Sequence, residues 1–458
     1  MTQTHTPVLR HLDPQRLATV RERERAAYAA ANPTSHALSQ RAAKHLMFGV
    51  PLHWMSDWST PFPLHLAHAQ GARLTDADGH RYVDFCLGDT GAMFGHSPPA
   101  VARAIAAQGA QGITTMLPGE DGVWVAEELA RRFGLPVWQF ALSASDANRF
   151  AIRWARALTQ RTQVLIFNGC YHGTVDDVFV DLVDGQPRTR DSLLGQVVDI
   201  TRTTRSVEFN DLAALEAALA DGQVACLLAE PALTNCGLVP PAPGFWEAAQ
   251  ALCRRFGTLL VMDETHTLST ARGGYAKAHG LAPDFFVAGK AVAGGLPCAL
   301  YGFTAEVAER MSVAKNAAPE GHSGIGTTLA GNALTLAALH AALTHLHTEA
   351  SYGHMLGLAA QLEQGLSHHI ATHGLPWTVT RLGARMELQF MPHTPHDAQD
   401  VVDHAQPELE SFTHLFMLNR GVLLTPFHSM LLLSPSTQQK DVDRLLAAFS
   451  ELCLAFSP

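Results

Sequence analysis

Two short apolar runs in this sequence end on residues that could do chemistry together. Leu259-Leu-Val-Met262 stops on Asp263-Glu264, and Phe285-Phe-Val-Ala288 stops on Gly289-Lys290, just ahead of Gly294-Gly295. Each run reads as a buried strand, because a brief unbroken apolar stretch bounded by turn residues suits a strand covered on both faces. If the strands are neighbours, a carboxylate and an amine converge on one small molecule. A lysine amine condenses with an aldehyde to give a Schiff base, and a buried carboxylate keeps a pyridine nitrogen protonated. That pairing is the chemistry of pyridoxal phosphate (PLP). Read alone, Asp263 could equally cap a loop and Lys290 could stand on the surface.

Other stretches supply what such a cofactor needs. A phosphate is held by backbone N–H groups, hydroxyls and the positive end of a helix. Leu142-Ser143-Ala144-Ser145-Asp146-Ala147 offers all three, since Phe150, Trp154 and Leu158 then recur at helical spacing. An ordinary serine N-cap gives the same pattern. Asn168-Gly-Cys-Tyr171-His172-Gly173 closes another apolar run. An aromatic in such a turn can stack on a planar ring or simply pack. Glu230-Pro231 ends a further strand, where the carboxylate suits a hydrogen-bond hub or a helix cap. Gly324-Ile-Gly-Thr327-Thr328-Leu-Ala-Gly331-Asn332 brings two more hydroxyls to a helix start. Trp54 and Trp58 share one irregular segment, which either lines a pocket or pins itself to a core.

The elements that must position these residues follow from the apolar pattern. Residues 13–47 are predicted to be largely helical, and 72–85 to form a hairpin about Asp78-Gly79. From about residue 125 to 305, helices at 125–133, 147–159, 211–219 and 244–256 alternate with strands at 138–142, 164–168, 224–230, 259–263, 285–289 and 299–303. That alternation predicts an α/β fold with a mostly parallel central sheet flanked by helices, whose ligands gather at the carboxyl ends of the strands. The expected organisation is an N-terminal segment 1–98 packing with a small domain, a large domain 99–335, and a small α+β domain 336–458. That last part takes its strands from 386–390 and 430–433 and closes on a helix with Val442, Leu445, Leu446 and Phe449 inward.

Composition narrows the functional classes. Hydrophobic residues make up 47% and charged residues 16%, a globular balance, and the net charge of -10 argues against nucleic acid or an anionic membrane as partner. The 25 histidines are scattered without metal-ligand spacing, so no metal is expected. Seven cysteines form no C-x-x-C pair and suit reduced thiols. The N-terminal charges Arg10, Arg16, Arg21, Glu22, Arg23 and Glu24 surround no apolar core, and no run of about 18 apolar residues exists. The expectation is a cytoplasmic protein.

Taken in order, these motifs resemble those of the class III aminotransferases of the fold-type-I PLP superfamily, which includes ω-amino acid and amine transaminases and glutamate-1-semialdehyde aminomutase. The resemblance runs from about Leu64 to the C-terminus. It implies that the Ser143-Ala144-Ser145 turn, for the family's S-G-T, holds the cofactor phosphate. It implies too that Tyr171 of the Y-H-G motif, followed by His172, stacks on the ring, and that Asp263 pairs with the pyridinium nitrogen. Glu230 joins the cofactor surroundings, Lys290 of the G-K-x-x-G-G-G-x-P motif forms the Schiff base, and Thr328 of G-T-x-x-G-N reaches the phosphate of a neighbouring subunit. That last role implies a homodimer with active sites at its interface.

Departures from the family pattern cluster near the ring. Ala144 and Ser145 replace Gly and Thr, Ala293 and Thr327 stand where Gly is usual, and Thr265 replaces a Val that packs on the ring. His266 falls where some members place a Gln beside the ring's 3-hydroxyl, so contact with that oxygen is expected, packing in the loop being the alternative. Where β-amino acid members carry carboxylate-binding arginines, this chain has His53-Trp54 and Thr425-Pro-Phe427-His428, with Arg385 and Arg420 as substitutes. Trp54, Trp58 and His428 are the candidate substrate residues, for an amine or a bulky amino acid.

The implied activity is amino transfer from an amine or amino acid donor to a keto acid, ketone or aldehyde acceptor. An aminomutase or epimerase uses the same lysine and aspartate and stays open. A nucleotide-binding oxidoreductase is disfavoured, because no G-x-G-x-x-G follows an early strand.

Overall fold

A computed structural model describes residues 14–456; Asp13 of the expected first helix and Arg10 of the charged N-terminal stretch lie outside them. The described chain divides into two compact units. The larger takes Pro99–Tyr352 with Pro395–Gln399, and the smaller takes Gly353–Thr394 with the described parts of Met1–Pro98 and Asp400–Pro458.

The larger unit is organised on seven strands: β1 (Val137–Ala141), β2 (Gln163–Phe167), β3 (Thr204–Val207), β4 (Val224–Ala229), β5 (Leu259–Asp263), β6 (Phe285–Ala288) and β7 (Ala299–Phe303). Their lateral order is β1-β7-β6-β5-β4-β2-β3. The pairs β6·β5, β5·β4, β4·β2 and β2·β3 are parallel, while β7 runs against both of its neighbours. Every residue of β4, β5 and β6 is buried, which is the unbroken apolar pattern a doubly covered sheet demands. The reversal of β7 has a local cause. The connection from Ala288 to Ala299 holds no helix, and a parallel return needs a crossover.

Burying one Val, Leu or Met side chain stabilises a fold by about 1.5–3 kcal/mol. Leu260, Val261 and Met262 of β5 are each at most 2% exposed. Their burial offsets the cost of carrying Asp263 inside, provided the carboxylate finds donors there.

Helix α1 (Ala144–Thr159) follows β1 and buries Ala147, Phe150, Ala151 and Ala155 at helical spacing. Ser143 caps it by accepting the Asp146 N–H, a contact worth about 1 kcal/mol. Helix α2 (Ala333–His345), capped by Asn332, packs on the helices Pro99–Gly109 and Glu120–Phe133 and so belongs with the larger unit. The larger unit thus continues to Tyr352, past the boundary expected near residue 335.

In the smaller unit, the hairpin Arg73–Asp76 and Arg81–Asp84 turns at Asp78-Gly79 as expected. Its second strand pairs in parallel with Val422–Leu423, joining N-terminal and C-terminal segments in one four-stranded sheet. Thr378–Leu382, Arg385–Gln389 and Met430–Leu432 form a second, three-stranded sheet. The last helix, Gln439–Phe456, buries Val442, Leu445 and Phe449, with Leu446 half-buried. The run 13–47 is two helices, Pro14–Ala31 and Pro33–Ala42, broken at Asn32 because a proline disfavours helical backbone in the residue before it. Helices Ala305–Ala317 and Glu349–Thr372 and the hairpin Val180–Val183/Gln186–Thr189 were not legible in the pattern; Gly353, Gly357 and Gly365 blur the second helix. Among the described residues no helix is long and apolar enough to cross a membrane.

Candidate active site

Strands β5 and β6 pair with Asp263 opposite Val287. The chain leaves both strands in the same direction, so His266 and Lys290, each three residues further on, arrive side by side. Lys290 Nζ lies 2.9 Å from His266 Nε2. Lys290 has φ +47°, a left-handed conformation that costs a non-glycine residue about 1–2 kcal/mol. Such strain persists where surrounding structure over-determines it. Here the preceding residue is Gly289, where a Cβ would stand 3.0 Å from Ala144 Cβ and 3.2 Å from Ala144 N. The start of α1 therefore presses directly on the turn that aims the lysine.

Asp263 is 4% exposed and its carboxylate is fully engaged. Oδ2 accepts from Asn148 Nδ2 at 2.8 Å and faces His172 Nδ1 at 3.0 Å. Oδ1 accepts from the Thr265 N–H at 3.0 Å and the Thr265 hydroxyl at 2.7 Å. Burial by itself would raise the proton affinity of Asp263, but the hydrogen bond and charge of His172, with Thr265 and Asn148, hold the carboxyl well below its ordinary range. His172, 1% exposed, responds in the opposite sense. Burial opposes its charging, yet the Cys170 sulfur and the Asp263 carboxylate raise it well above an ordinary histidine. A carboxylate backed by the His172 ring sits at the end of β5. His172 thus lies behind Asp263, and the Thr265 hydroxyl is turned onto the carboxylate.

Asn148 was not singled out from the sequence. Its signal was a polar residue on the apolar face of α1, between Ala147 and Ala151, and it also donates to the His172 carbonyl at 3.1 Å.

The Ser143 turn stands where α1 begins. Ser143 is exposed, its hydroxyl 3.2 Å from Asp146 Oδ2, and Ala144 and Ser145 are half-buried. Ser145 Oγ accepts the Thr174 N–H at 3.0 Å. Gly173, φ +84°, follows His172; a Cβ there would press on Ser145, 2.8 Å from its Cα, so only glycine lets this turn approach α1 so closely. Tyr171 stands at the same turn, 39% exposed, its ring 6.4 Å from Phe179. The Ser143, Tyr171–Gly173, Asp263 and Lys290 segments are therefore gathered at the carboxyl ends of β1, β2, β5 and β6. Glu230, just beyond β4, accepts from the hydroxyl of Thr234 and from Asn235 in its own loop, a hub rather than a cap. Thr328 is exposed in the turn before α2.

The expected substrate residues lie in the smaller unit. Trp54 makes an edge contact with Phe427 at 5.9 Å. Trp58 packs against the core cluster of Tyr28, Tyr82 and Leu415 and meets His414 at 5.3 Å. His428 Nδ1 sits 3.0 Å from Glu387 Oε1. Of the two substitute arginines, Arg420 is committed to Glu24, Glu451 and the Phe416 ring. Arg385 is 1% exposed, with Nη1 donating to Thr90 at 3.2 Å.

One metal-like group escaped the sequence reading. Ligand atoms of His393, Asp400 and His404 lie within 4.8 Å of one another. His404 Nδ1 lies 2.9 Å from the carbonyl of Asp400, one helical turn back, and His393 is exposed, which fits a hydrogen-bonded surface cluster.

A lysine amine, a buried carboxylate and hydroxyls at a helix N-terminus suit the three functional ends of PLP. Similar proteins agree. The sequence profile of the family "Aminotransferase class-III" matches residues 54–452. A glutamate-1-semialdehyde 2,1-aminomutase of Sorangium cellulosum (strain So ce56) is 37% identical over 92% of this chain and 97% of its own. A crystal structure of a glutamate-1-semialdehyde aminomutase from Pseudomonas aeruginosa PAO1, a lysine-to-alanine variant in complex with PMP, is 47% identical with TM-score 0.95, covering 98% of this chain and all of that one. A β-phenylalanine aminotransferase from Variovorax paradoxus is 26% identical with TM-score 0.84, each chain 96% covered.

Fold and site together define a PLP-dependent enzyme of fold type I. Within that class the chain belongs to the class III aminotransferase family.

Proposed function

We propose that this enzyme is an aminomutase that shifts an amino group between adjacent carbons of glutamate-1-semialdehyde. The observation that carries this reading is the near full-length similarity to proteins described as glutamate-1-semialdehyde aminomutases, at 37% identity in one case and 47% in another. It takes the place of the bulky-donor transaminase that the aromatic residues suggested. Amino transfer between two molecules, the activity for which the family is named, remains the competing reading.

The residues of this chain fit the following roles. Lys290 holds the cofactor aldehyde and is the base that removes and returns the proton on the amino-bearing carbon. Asp263, kept anionic by His172, Asn148 and Thr265, faces the ring nitrogen. Of its four donors the Thr265 hydroxyl can rotate away, which opens a place at Oδ1 for a ring N–H. Ser143, Ala144 and Ser145 at the start of α1 hold the phosphate, Tyr171 covers the ring, and Glu230 orders the loop beyond β4. When bound, PLP supplies the electron sink that makes the substrate proton removable. Trp54 and His428 are the substrate-side candidates, with Trp58 as their packing support.

A homodimer in which Thr328 reaches the neighbouring subunit's phosphate is part of the proposal. Supporting it, Thr328 is exposed and Ile113, Met116, Leu117, Val123 and Leu329 of the larger unit are exposed apolar side chains. None of the seven cysteines is in a disulfide, which fits the reducing cytoplasm.

The test is to supply glutamate-1-semialdehyde to the PLP-loaded enzyme with no keto acid present. Conversion to the isomer with the amine on the former aldehyde carbon and a ketone beside it supports the aminomutase. Turnover that requires a stoichiometric keto acid establishes the transaminase instead.

A further inference from the structure

We infer that His266 is a positioning residue that sets the aim and the protonation of Lys290, a role that rests on Lys290 being the reactive amine. The two side chains meet at 2.9 Å, His266 Nε2 to Lys290 Nζ. Toward a protonated amine, which has only donors, His266 Nε2 can act only as acceptor, through the neutral form of its ring.

This contact is imposed from both sides. Lys290 leaves β6 through a left-handed turn whose preceding Gly289 is packed against Ala144, which fixes where its Cα stands. His266 is 5% exposed and begins a short 3-10 turn, Thr267–Ser269, whose Ser269 hydroxyl donates to the His266 carbonyl at 2.9 Å. The register of β5 with β6 then sets the ring beside the amine.

The other ionisable groups at these strand ends have their own partners. Asp263 is held by His172, Asn148 and Thr265. Glu264 accepts from the Tyr275 and Ala276 amides and the Thr267 hydroxyl. Glu230 takes Thr234 and Asn235. His266 is thus the imidazole set against the lysine nitrogen.

Two effects follow. A neutral acceptor favours the protonated form of the lysine nitrogen and fixes its N–H on one line. It also offers a second resting place for a proton that Lys290 collects, one hydrogen bond away.

The experiment compares PLP-loaded wild type with His266→Ala and His266→Gln. The visible band of the bound cofactor, titrated against pH, is expected to have its midpoint lowered by about one unit or more in H266A, a roughly tenfold change in proton affinity. H266Q, whose amide oxygen can accept the same N–H, should recover most of that shift. In H266A kcat should fall about 10²-fold with KM little changed, the size of a lost acid–base contribution. Superimposable titrations of wild type and H266A overturn the proposal. If H266A loses cofactor on purification, His266→Phe takes its place against H266Q, and equal midpoints in those two overturn it as well. Lys290→Ala separates this inference from its foundation. A titrating lysine-linked band that survives in K290A removes the reactive-amine reading itself; a band lost in K290A but unchanged in H266A removes only the role of His266.

Discussion

Replacing Asp263 with asparagine keeps the shape of the side chain and removes its charge, at a position 4% exposed. The wild-type carboxylate receives four donors, two on each oxygen. An amide has a single acceptor oxygen, so one pair of donors must face an NH2 group. Losing one partner of a buried ion pair costs about 3–5 kcal/mol when the other stays charged. His172 can shed its proton and relieve part of that, so the expected loss at neutral pH is about 3 kcal/mol.

The pH dependence carries the sign. Asp263 is lowered to about 2, so its contribution is present above the unfolded carboxylate value and is lost as pH falls through about 2. His172 is raised to about 10, so its contribution is present below the unfolded histidine value and is lost as pH rises through about 10. In D263N both dependences should flatten. Urea unfolding of the holoenzyme at steps from pH 3 to 9 measures this, and the visible spectrum reports the ring environment in the same samples. A variant within about 1 kcal/mol of wild type at pH 7, with the same slopes and spectrum, refutes the ion pair and the ring-nitrogen role together.

Gly173→Ala forces a Cβ onto Ser145 at a left-handed φ; a stability loss of about 2 kcal/mol or more and weakened PLP retention are expected, measured by urea unfolding and cofactor release. His414 is buried, its burial pushing it down to about 4, so the unfolded chain takes up a proton before the folded one does. Wild-type stability should therefore fall as pH drops from the unfolded histidine value towards 4. His414→Phe should flatten that slope by up to about 1.4 kcal/mol per pH unit, and an unchanged slope in thermal or urea melts refutes the assignment. Met116→Glu with Leu117→Glu, at side chains 81% and 76% exposed, should dissociate the proposed dimer with the unit still folded; an unchanged mass in sedimentation or light scattering counts against that interface.

Much of the larger unit was legible because its strands are short, unbroken apolar runs. β5 and β7 fall on their predicted ends, and the other four predicted strands lie within a residue of theirs. β3 (Thr204–Val207) and the Val180–Thr189 hairpin were not seen, because polar residues interrupt both. The smaller unit was harder. Its sheet joins Val83 to Val422, a pairing no local pattern encodes.

For the site, local sequence determined the residue types and their place at strand ends: Asp263, Lys290, the Ser143 turn and Tyr171-His172-Gly173 all follow from composition and turn chemistry. Tertiary structure decided what each of them touches. Sheet order placed β5 beside β6 and so His266 against Lys290; the close approach of the β2 turn to α1, allowed by Gly173, set His172 and Asn148 behind Asp263. Those contacts depend on strand register and on backbone approach between residues 24 to 115 positions apart, and neither is written in the residues on either side of any one of them.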